Sequence, residues 1–505
     1  MTAGSRPKTA AHWESPLARR RAGLQIHPTS LPWDGLAGGM GRPAFRFADV
    51  LAESGISVWQ TLPLGPTHAD LSPYQCLSVF AGDPRLISLE PLAERGWLKV
   101  SGTLDPGDPG QHGQALARAF AGFRARAAPE ERQALQEFRE AQAYWLEDYC
   151  LYQALRHENG HVSWVDWPEA LRDREQAALR RARTDLAERI ECSCFEQFLF
   201  HRQWHALKAY ANERGILLFG DMPIFVAHDS AEVWGRREYF TLDARGRPET
   251  VAGVPPDYFS ETGQLWGNPH YRWSRMREDD YLWWRRRMEH QLALFDLTRI
   301  DHFRGFEAYW EVPAGAESAA EGRWVAAPGD ELFETLHREF DPMPLVAEDL
   351  GVITEEVDAL RHRYGLPGMK VLQFAFNGGP DNPYLPHNHA YDCVVYTGTH
   401  DNDTSVGWFE SCPPEQRRRV RDYLGHPGEE WPWPLIRAAL ASVAAMAVIP
   451  MQDVLMLGGE HRMNTPGTVE GNWRWRLDWA MIPDDLPGRL RHLVELYGRA
   501  AQSEG

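Results

Sequence analysis

Thr298-Arg299-Ile300-Asp301-His302-Phe303-Arg304-Gly305 sets an arginine two residues before a carboxylate, directly behind the largely apolar run 292–297. Residues two apart on a strand project from the same side, so a strand that ends here holds Arg299 beside Asp301. A permanent cation next to a carboxyl group lowers its pKa and keeps it ionised, as an attacking nucleophile must be. The stretch therefore predicts a strand that ends in a reactive acid.

Two further apolar runs also end in acids. Ala347-Glu348-Asp349-Leu350-Gly351 follows Pro344-Leu345-Val346, and Thr399-His400-Asp401-Asn402-Asp403 follows Cys393-Val394-Val395-Tyr396. Parallel α/β barrels place their chemistry at the carboxyl ends of their strands. Each acid taken alone is equally well explained as the cap of a following helix, but three together favour an active site.

Strand-like and helical patterns alternate over nearly the whole chain, which is typical of βα units around a parallel sheet. Eight strands are predicted, the number that closes a (β/α)8 barrel. The fold class is therefore α/β, a TIM barrel with large helical and loop insertions around its active-site face. The predicted strands are 23–27, 57–62, 216–222, 296–301, 345–348, 370–374, 393–397 and 447–452, and helical patterns cover 45–54, 195–213, 279–295, 332–339, 354–364 and 433–446.

The catalytic barrel is predicted to occupy residues 23–485, after an N-terminal extension, 1–22, and before a C-terminal helix or tail, 486–505. Two stretches are too long for simple crossovers. Residues 97–194 carry charged helical patterns and predict an inserted helical subdomain. Residues 237–272 have little periodicity and many Gly and Pro residues. A loop of that length inside a compact protein is usually functional, so we expect it to cover the cleft.

Composition excludes several classes of partner. The 505 residues are 43% hydrophobic and 25% charged, as in a soluble globular protein. A formal net charge of −18 argues against a nucleic-acid partner and favours a neutral or cationic substrate. Pro450, Gln452 and Asp453 interrupt the most apolar stretch, 438–457, so no membrane span is predicted.

Cysteines and histidines give no sign of a metal site. Six cysteines occur without CxxC spacing, which favours inert thiols in a reducing compartment over a zinc ribbon or a disulfide framework. His387-Asn388-His389 is better explained as a loop than as a metal site. The N-terminal residues show no apolar signal region. We expect a cytoplasmic protein that needs no metal or organic cofactor.

Tryptophan is the most informative residue type, because many of the 21 tryptophans lie among Gly, Pro, Asn and Asp. Flat aromatic faces outside a core suit stacking on sugar rings, whose C–H faces are apolar and whose rims are polar. Ordinary packing is the alternative, and it explains most tryptophans in most proteins. The candidates are Trp33, Trp266, Trp408, Trp431, Trp433, Trp473 and Trp475.

Sugar chemistry also suits the three acids. Cleavage of a glycosidic bond needs one carboxyl group to protonate the leaving oxygen and another to attack the anomeric carbon or activate water. Asp301 and Glu348 end the predicted fourth and fifth strands, which are neighbours in a barrel. Asp401, after the seventh strand, is placed to hydrogen-bond a distorted sugar and stabilise developing positive charge.

At these residues the chain resembles the amylomaltase (4-alpha-glucanotransferase) family, relatives of the alpha-amylases. The resemblance extends from about residue 23 to residue 476. Its motifs, each weak alone but strong in this order, are Ser72-Pro73-Tyr74-Gln75, Gly220-Asp221-Met222-Pro223-Ile224, Gly253-Val254-Pro255-Pro256-Asp257, Gly263-Gln264-Leu265-Trp266-Gly267-Asn268-Pro269, Arg299-Ile300-Asp301-His302, Ala347-Glu348-Asp349-Leu350-Gly351, Gly398-Thr399-His400-Asp401-Asn402 and Asn464-Thr465-Pro466-Gly467-Thr468.

The resemblance implies that Asp301 is the nucleophile, Glu348 the general acid/base and Asp401 the transition-state stabiliser. It also implies that the loops 253–266 and 464–472 arch over the cleft. The implied sugar-binding residues are Tyr74, Asp221, Gln264, Trp266, Arg299, Asp349, His400 and Asn464.

The expected activity is that of a retaining 4-alpha-glucanotransferase. Its partners are alpha-1,4-glucans, namely maltooligosaccharides and amylose, with glycogen a further candidate. An amylase-type hydrolase that uses the same acids is the alternative, since water then replaces the sugar acceptor. A catalytically inactive glucan-binding protein is a second alternative, and the three intact acids argue against it.

Two turns depart from the family pattern. The family usually has Gly-Tyr-Gly-Asp before Ser-Pro-Tyr, whereas this chain has Ala69 near the place of the tyrosine. The glycine-rich turn after the first strand is also altered, to Gly38-Gly39-Met40-Gly41-Arg42. The departures concern glucan binding outside the donor subsite, because the predicted catalytic residues are unchanged.

Overall fold

Strands of two separate sheets make up the β-structure of the computed structural model, which describes residues 16–33, 36–99, 108–256 and 262–500. The described residues form β1 (Arg21–Gln25), β2 (Val58–Gln60), β3 (Leu217–Pro223), β4 (Thr250–Val254), β5 (Gln264–Pro269), β6 (Leu297–Asp301), β7 (Ala308–Pro313), β8 (Arg323–Ala326), β9 (Leu345–Ala347), β10 (Gly368–Val371), β11 (Cys393–Tyr396) and β12 (Met446–Pro450).

Eight of these strands form one parallel sheet in the order β10-β11-β12-β1-β2-β3-β6-β9. The two edge strands then meet, since the backbone N–H of Ala347 on β9 donates to the carbonyl of Pro367, next to β10, at 2.9 Å. Each of the eight predicted strands overlaps one of these eight. The prediction of a (β/α)8 barrel is confirmed.

Helices surround the barrel and occupy the long connection between β2 and β3. All six predicted helical patterns overlap a helix. The helices are α1 (Arg42–Glu53), α2 (Glu90–Glu94), α3 (Pro109–Arg126), α4 (Pro129–Ala141), α5 (Ala143–Glu158), α6 (Glu169–Arg172), α7 (Gln176–Asp185), α8 (Ala187–Asn212), α9 (Ala231–Gly235), α10 (Trp273–Glu278), α11 (Leu282–Leu294), α12 (Gly329–Glu339), α13 (Glu355–Arg363), α14 (Ser405–Ser411), α15 (Pro414–Tyr423), α16 (Trp433–Ala441), α17 (Met451–Val454) and α18 (Leu486–Leu496).

The barrel interior is a packed core, so chemistry is confined to the strand ends. Ten apolar side chains form one buried cluster there. A glycine is required on β1, because a Cβ at Gly23 would lie 3.0 Å from the Cβ of Val58 and 3.3 Å from the Cγ2 of Val448. The ten interior side chains are Val58, Phe219, Leu297, Val346, Met369, Val371, Val394, Tyr396, Met446 and Val448.

A second sheet corrects the prediction that residues 237–272 are a loop. Strands β4 and β5 lie in this stretch and form an antiparallel sheet with β7 and β8, in the order β5-β4-β7-β8. The alternation of polar and apolar residues that marks a strand is interrupted here by a register shift between β4 and β5 and by Gly253. A Cβ at Gly253 would lie 2.3 Å from the carbonyl oxygen of Gln264. Residues 257–261, within the predicted cleft-covering loop, lie outside the described residues.

The first and last parts of the described chain pack on the barrel. Strand β1 begins at Arg21, two residues before the predicted start. The guanidinium of Arg499 is buried and donates to the carbonyls of Leu440, Ser442 and Ala444 at 2.7, 2.9 and 2.8 Å, near the start of β12. Residues 1–15 and 501–505 lie outside the described residues, and the predicted domain boundaries stay predictions. None of the described helices is both long and apolar enough to cross a lipid bilayer.

Candidate active site

The three predicted catalytic acids lie at the same end of the barrel. Asp301 is the last residue of β6, Glu348 follows β9 directly, and Asp401 follows β11 after a short turn. Parallel strands bring their carboxyl ends to one face, and there the structure brings these acids together. Asp301 and Glu348 come from hydrogen-bonded neighbouring strands.

Arg299 lies between two carboxylates. Its Nη2 donates to Oδ1 of Asp301 at 2.6 Å, and its Nη1 donates to Oδ2 of Asp221 at 2.6 Å. Burial lowers the pKa of Arg299, but the two carboxylates outweigh it and hold this pKa well above its ordinary value. The strand-end pattern thus delivers a permanent cation to Asp301, as the sequence predicts.

Asp221 is completely buried beneath this arginine. Its Oδ2 also accepts a hydrogen bond from the Tyr74 hydroxyl at 2.7 Å. Burial raises the pKa of Asp221, while Arg299 opposes the shift. The second oxygen, Oδ1, has no hydrogen-bond partner among the described residues. A buried acceptor without a partner is costly, and a sugar hydroxyl would satisfy it.

Glu348 is half-buried and differs electrostatically from Asp301. Burial and the nearby Asp301 charge raise the pKa of Glu348 to about 7. Two backbone groups hold the carboxyl: the N–H of His302 donates to Oε2 at 2.8 Å and that of Leu350 to Oε1 at 2.9 Å. His302 adopts a left-handed conformation, with φ 54°. This backbone turn was not predicted from the sequence.

Asp401 is the most open of the three acids, with 46% of its side chain exposed. Asn464 donates from Nδ2 to its Oδ1 at 2.7 Å, and Nε2 of His400 lies 3.4 Å from its Oδ2. Arg462, which belongs to none of the sequence motifs, donates to the Asp401 carbonyl at 2.9 Å. Asn464, at the start of the 464–472 loop, and Arg462 just before it thus orient Asp401.

Aromatic rings lie beside the acids on one side of the candidate site. The Tyr74 ring is stacked on His400, with centroids 5.2 Å apart and an interplanar angle of 14°. Trp473 lies 6.0 Å from Tyr74 and 5.9 Å from His400. Trp473, one of the candidates for sugar stacking, therefore lies beside Tyr74 and His400.

Trp266 and Gln264 reach the group from the second sheet. The Trp266 indole N–H donates to Oε1 of Gln264 at 3.1 Å. Its ring centroid lies 4.8 Å from that of His302, the residue that follows Asp301. Trp266 therefore packs against the residue that follows the predicted nucleophile, and Gln264 is hydrogen-bonded to Trp266.

Asp349 does not join the sugar-binding group, contrary to expectation. Its Oδ1 accepts from the backbone N–H of Met369 at 2.6 Å, and its Oδ2 lies 3.4 Å from Nε of Arg361. A Cβ at Gly368 would lie 2.2 Å from Oδ2. Its carboxylate therefore packs against the start of β10, where the barrel closes.

Several predicted stacking tryptophans are packing residues instead. Trp433 is 1% exposed and carries the guanidinium of Arg489 on its ring at 3.7 Å. Trp431 is stacked on Phe409, with centroids 4.1 Å apart, and lies near Trp408. Local composition alone cannot distinguish these from Trp473.

Trp475 lines a small pocket of about 30 Å³ together with His400 and His27. Trp33 packs edge-on against His112, with centroids 5.5 Å apart.

Within the described part of the chain, no three His, Cys, Asp or Glu side chains are grouped closely enough to bind a metal ion.

Residues 26–481 match the glycoside hydrolase family described as 4-alpha-glucanotransferase. The chain belongs to this family. The 4-alpha-glucanotransferase of Thermus thermophilus is 53% identical over 494 residues, which span 94% of this chain and 98% of that protein. The chloroplastic/amyloplastic 4-alpha-glucanotransferase of Arabidopsis thaliana is 44% identical over 498 residues, 96% of this chain and 86% of that protein. The predicted resemblance and the predicted enzyme class are confirmed.

A solved structure of a family member matches the whole architecture. The amylomaltase from Streptococcus agalactiae, in complex with acarbose, superposes with a TM-score of 0.92 at 36% sequence identity. The match covers 95% of this chain and 100% of that protein. This chain is therefore a transferase of the glycoside hydrolase type, a 4-alpha-glucanotransferase.

Proposed function

We propose that this 4-alpha-glucanotransferase works by double displacement, with Asp301 as nucleophile and Glu348 as acid/base. One observation carries the proposal: two carboxyl groups on adjacent strands have opposite environments. Asp301 is bound to the Arg299 guanidinium at 2.6 Å, whereas burial raises the pKa of Glu348 to about 7. Paired carboxyl groups set apart by their surroundings are the usual sign of acid and nucleophile roles.

In the first step, Asp301 attacks the anomeric carbon of the donor glucan while Glu348 gives its proton to the glycosidic oxygen. The bond between that carbon and oxygen breaks, and the fragment with the new 4-hydroxyl leaves. The donor segment remains as an ester on Asp301.

In the second step, the now ionised Glu348 takes the proton from the 4-hydroxyl of an acceptor glucan. The acceptor oxygen attacks the anomeric carbon, and the bond to Asp301 breaks. Two inversions retain the alpha configuration, and both carboxyl groups return to their starting states.

We propose that the donor glucose unit lies against Asp221, His400 and Asp401. Oδ1 of Asp221 is a buried acceptor without a partner among the described residues, and Asp401 is open and oriented by Asn464. Hydrogen bonds to sugar hydroxyls that strengthen as the ring distorts would lower the barrier. Tyr74, Trp266, Gln264 and Asn464 complete this proposed sugar pocket.

The proposed substrates are maltooligosaccharides and amylose, with glycogen as a further candidate. These are neutral chains, which suits a protein of net charge −18. We also propose the cytoplasm as the place of action, because all six cysteines are free thiols, as in reducing compartments.

Thin-layer chromatography after incubation with maltotriose alone tests the activity. Transfer produces glucose together with a ladder of longer maltodextrins, whereas an amylase-type hydrolase releases only shorter sugars. The Asp301→Asn protein serves as the control for contaminating enzymes. A wild-type digest without products longer than maltotriose would overturn the transferase assignment.

The pH profile should reveal Glu348 as an acid that must be protonated. Its pKa is raised from 4.5 to about 7, so kcat/KM for maltotriose should be level below pH 7 until other groups titrate. Above pH 7, kcat/KM should fall by about tenfold per pH unit as the acid ionises. A glucosyl fluoride donor is the control, because fluoride leaves without protonation and this alkaline limb should disappear. An alkaline limb that persists with the fluoride would assign that ionisation to another group.

Ala69→Tyr tests the departure from the family pattern. Ala69 is exposed and lies between Thr67 and Cys76, whose backbones form an isolated β-bridge. It comes five residues before Tyr74. An added ring should lower the KM for amylose and leave maltotriose turnover within a few-fold, because remote binding does not touch the reacting centre. Ala480→Tyr, at another exposed alanine, is the control. An equal change for maltotriose and amylose would place Ala69 at the catalytic subsites.

A further inference from the structure

A tryptophan with a large exposed surface lies at the edge of the second sheet. It is not adjacent in sequence to any of the predicted catalytic residues. Trp324, on β8, is 40% exposed. The Arg304 guanidinium lies over its ring, 3.8 Å from the centroid. Nη1 of Arg304 also donates to the backbone carbonyl of Val352, which is itself 65% exposed. We call Arg304, Trp324 and Val352 the rim cluster.

The rim cluster is tied to both catalytic loops. Arg304 comes three residues after Asp301, and Val352 comes four residues after Glu348. Gly351 makes the turn between Glu348 and Val352 with φ +86°, a conformation that disfavours other residues. Short stretches of backbone therefore join the cluster to both acids.

The cluster lies on the Glu348 side of the cleft. Hydrogen bonds and stacking join Asp301, through Arg299 and Asp221, to Tyr74 and His400. These contacts form the proposed donor pocket. Glu348 is held instead by the backbone at His302 and Leu350, in the loops that lead to the rim cluster. Since the acid faces the glycosidic oxygen, glucose units beyond that oxygen lie on its side.

The Trp324 ring is held in place rather than left mobile. Trp310, its partner across β7 and β8, contacts it edge-on with centroids 5.1 Å apart. The Trp310 indole N–H is itself fixed by the carbonyl of Ala319, at 2.8 Å. A ring oriented in advance loses little conformational freedom when a ligand binds. Exposed apolar surface beside a cleft often marks a binding surface.

We propose that the rim cluster is an acceptor-side subsite for alpha-1,4-glucans. The apolar C–H face of a glucose unit beyond the cleavage point packs on Trp324 and Val352. Arg304 holds the Trp324 ring in position. A single glucose bound next to Glu348 does not reach the cluster, so the subsite favours long acceptors. The proposal rests on the role of Glu348 given under Proposed function.

Acceptor kinetics of Trp324→Ala test this subsite. The donor is alpha-maltotriosyl fluoride at a fixed saturating concentration, and the acceptors are glucose and maltohexaose. We expect the KM for maltohexaose to rise by about three- to tenfold, the size of one aromatic contact, with kcat unchanged. The KM for glucose should stay the same. Trp479→Ala is the matched control, because Trp479 also carries an arginine, Arg46 of α1, on its ring at 4.0 Å.

Val352→Ser is a second variant that leaves the tryptophan in place. It should raise the KM for maltohexaose by a smaller factor, and thermal melts establish that both variants are folded. Unchanged maltohexaose KM values in both variants, or equal changes for glucose and maltohexaose, would overturn the subsite. A wild-type enzyme that passes no donor to either acceptor would instead overturn the proposed transfer reaction, so the two failures are distinguishable.

Discussion

Asp301→Asn should lower the rate of glucan transfer by on the order of 10⁴-fold or more, with the fold intact. The neutral amide cannot attack the anomeric carbon, and the one other carboxylate paired with Arg299 among the described residues is that of Asp221. Asp221, the other partner of that arginine, is fully buried and bound by Tyr74. It is therefore not free to replace the nucleophile.

Initial rates on maltotriose and a thermal melt measure this effect. Asp392→Asn is the control and should keep full activity. Asp392 is exposed and directly precedes β11, at the end of that strand away from Asp401. Near-normal transfer by a clean Asp301→Asn preparation would remove Asp301 from the mechanism.

Glu348→Gln should lower the rate of transfer from glucans by roughly 10²- to 10⁴-fold. The first step with an activated donor should still proceed. A sugar leaving group needs a proton, which the amide cannot supply. Fluoride leaves without one. Without a base to activate the acceptor, the ester on Asp301 should then persist.

Mass spectrometry of the Glu348→Gln protein with a glucosyl fluoride measures that ester. We expect one added glucosyl group, located at Asp301 after proteolysis, and no adduct in the double variant that also carries Asp301→Asn. An unlabelled Glu348→Gln protein, or a label at another residue, would contradict both assigned roles.

The sequence predicts the barrel well because the strands of a parallel sheet are buried on both faces. Their apolar runs stand out from the helical patterns between them, so all eight strands were located within a few residues. The acids were found for a related reason. A polar residue directly after such a run must lie at the strand end, where the barrel opens.

The second sheet was missed because its strands lack that signal. Strand β5 is largely exposed along its first residues, and β4 contains Gly253 at a close approach to its neighbour. A half-exposed, glycine-containing strand has neither a continuous apolar run nor a clean alternation. Its pairing with β7 and β8 depends on partners far along the chain.

By itself, the sequence determined the barrel, its eight strands, the family and the three acids at the strand ends. Only the tertiary structure decided which neighbours those acids have. Glu348 faces Asp301, whereas Asp349 accepts from Met369 and helps to close the barrel. Likewise Trp473 joins the site and Trp433 the core. Side-chain period and composition are local properties, but burial, charge partners and orientation depend on residues that meet only in the folded chain.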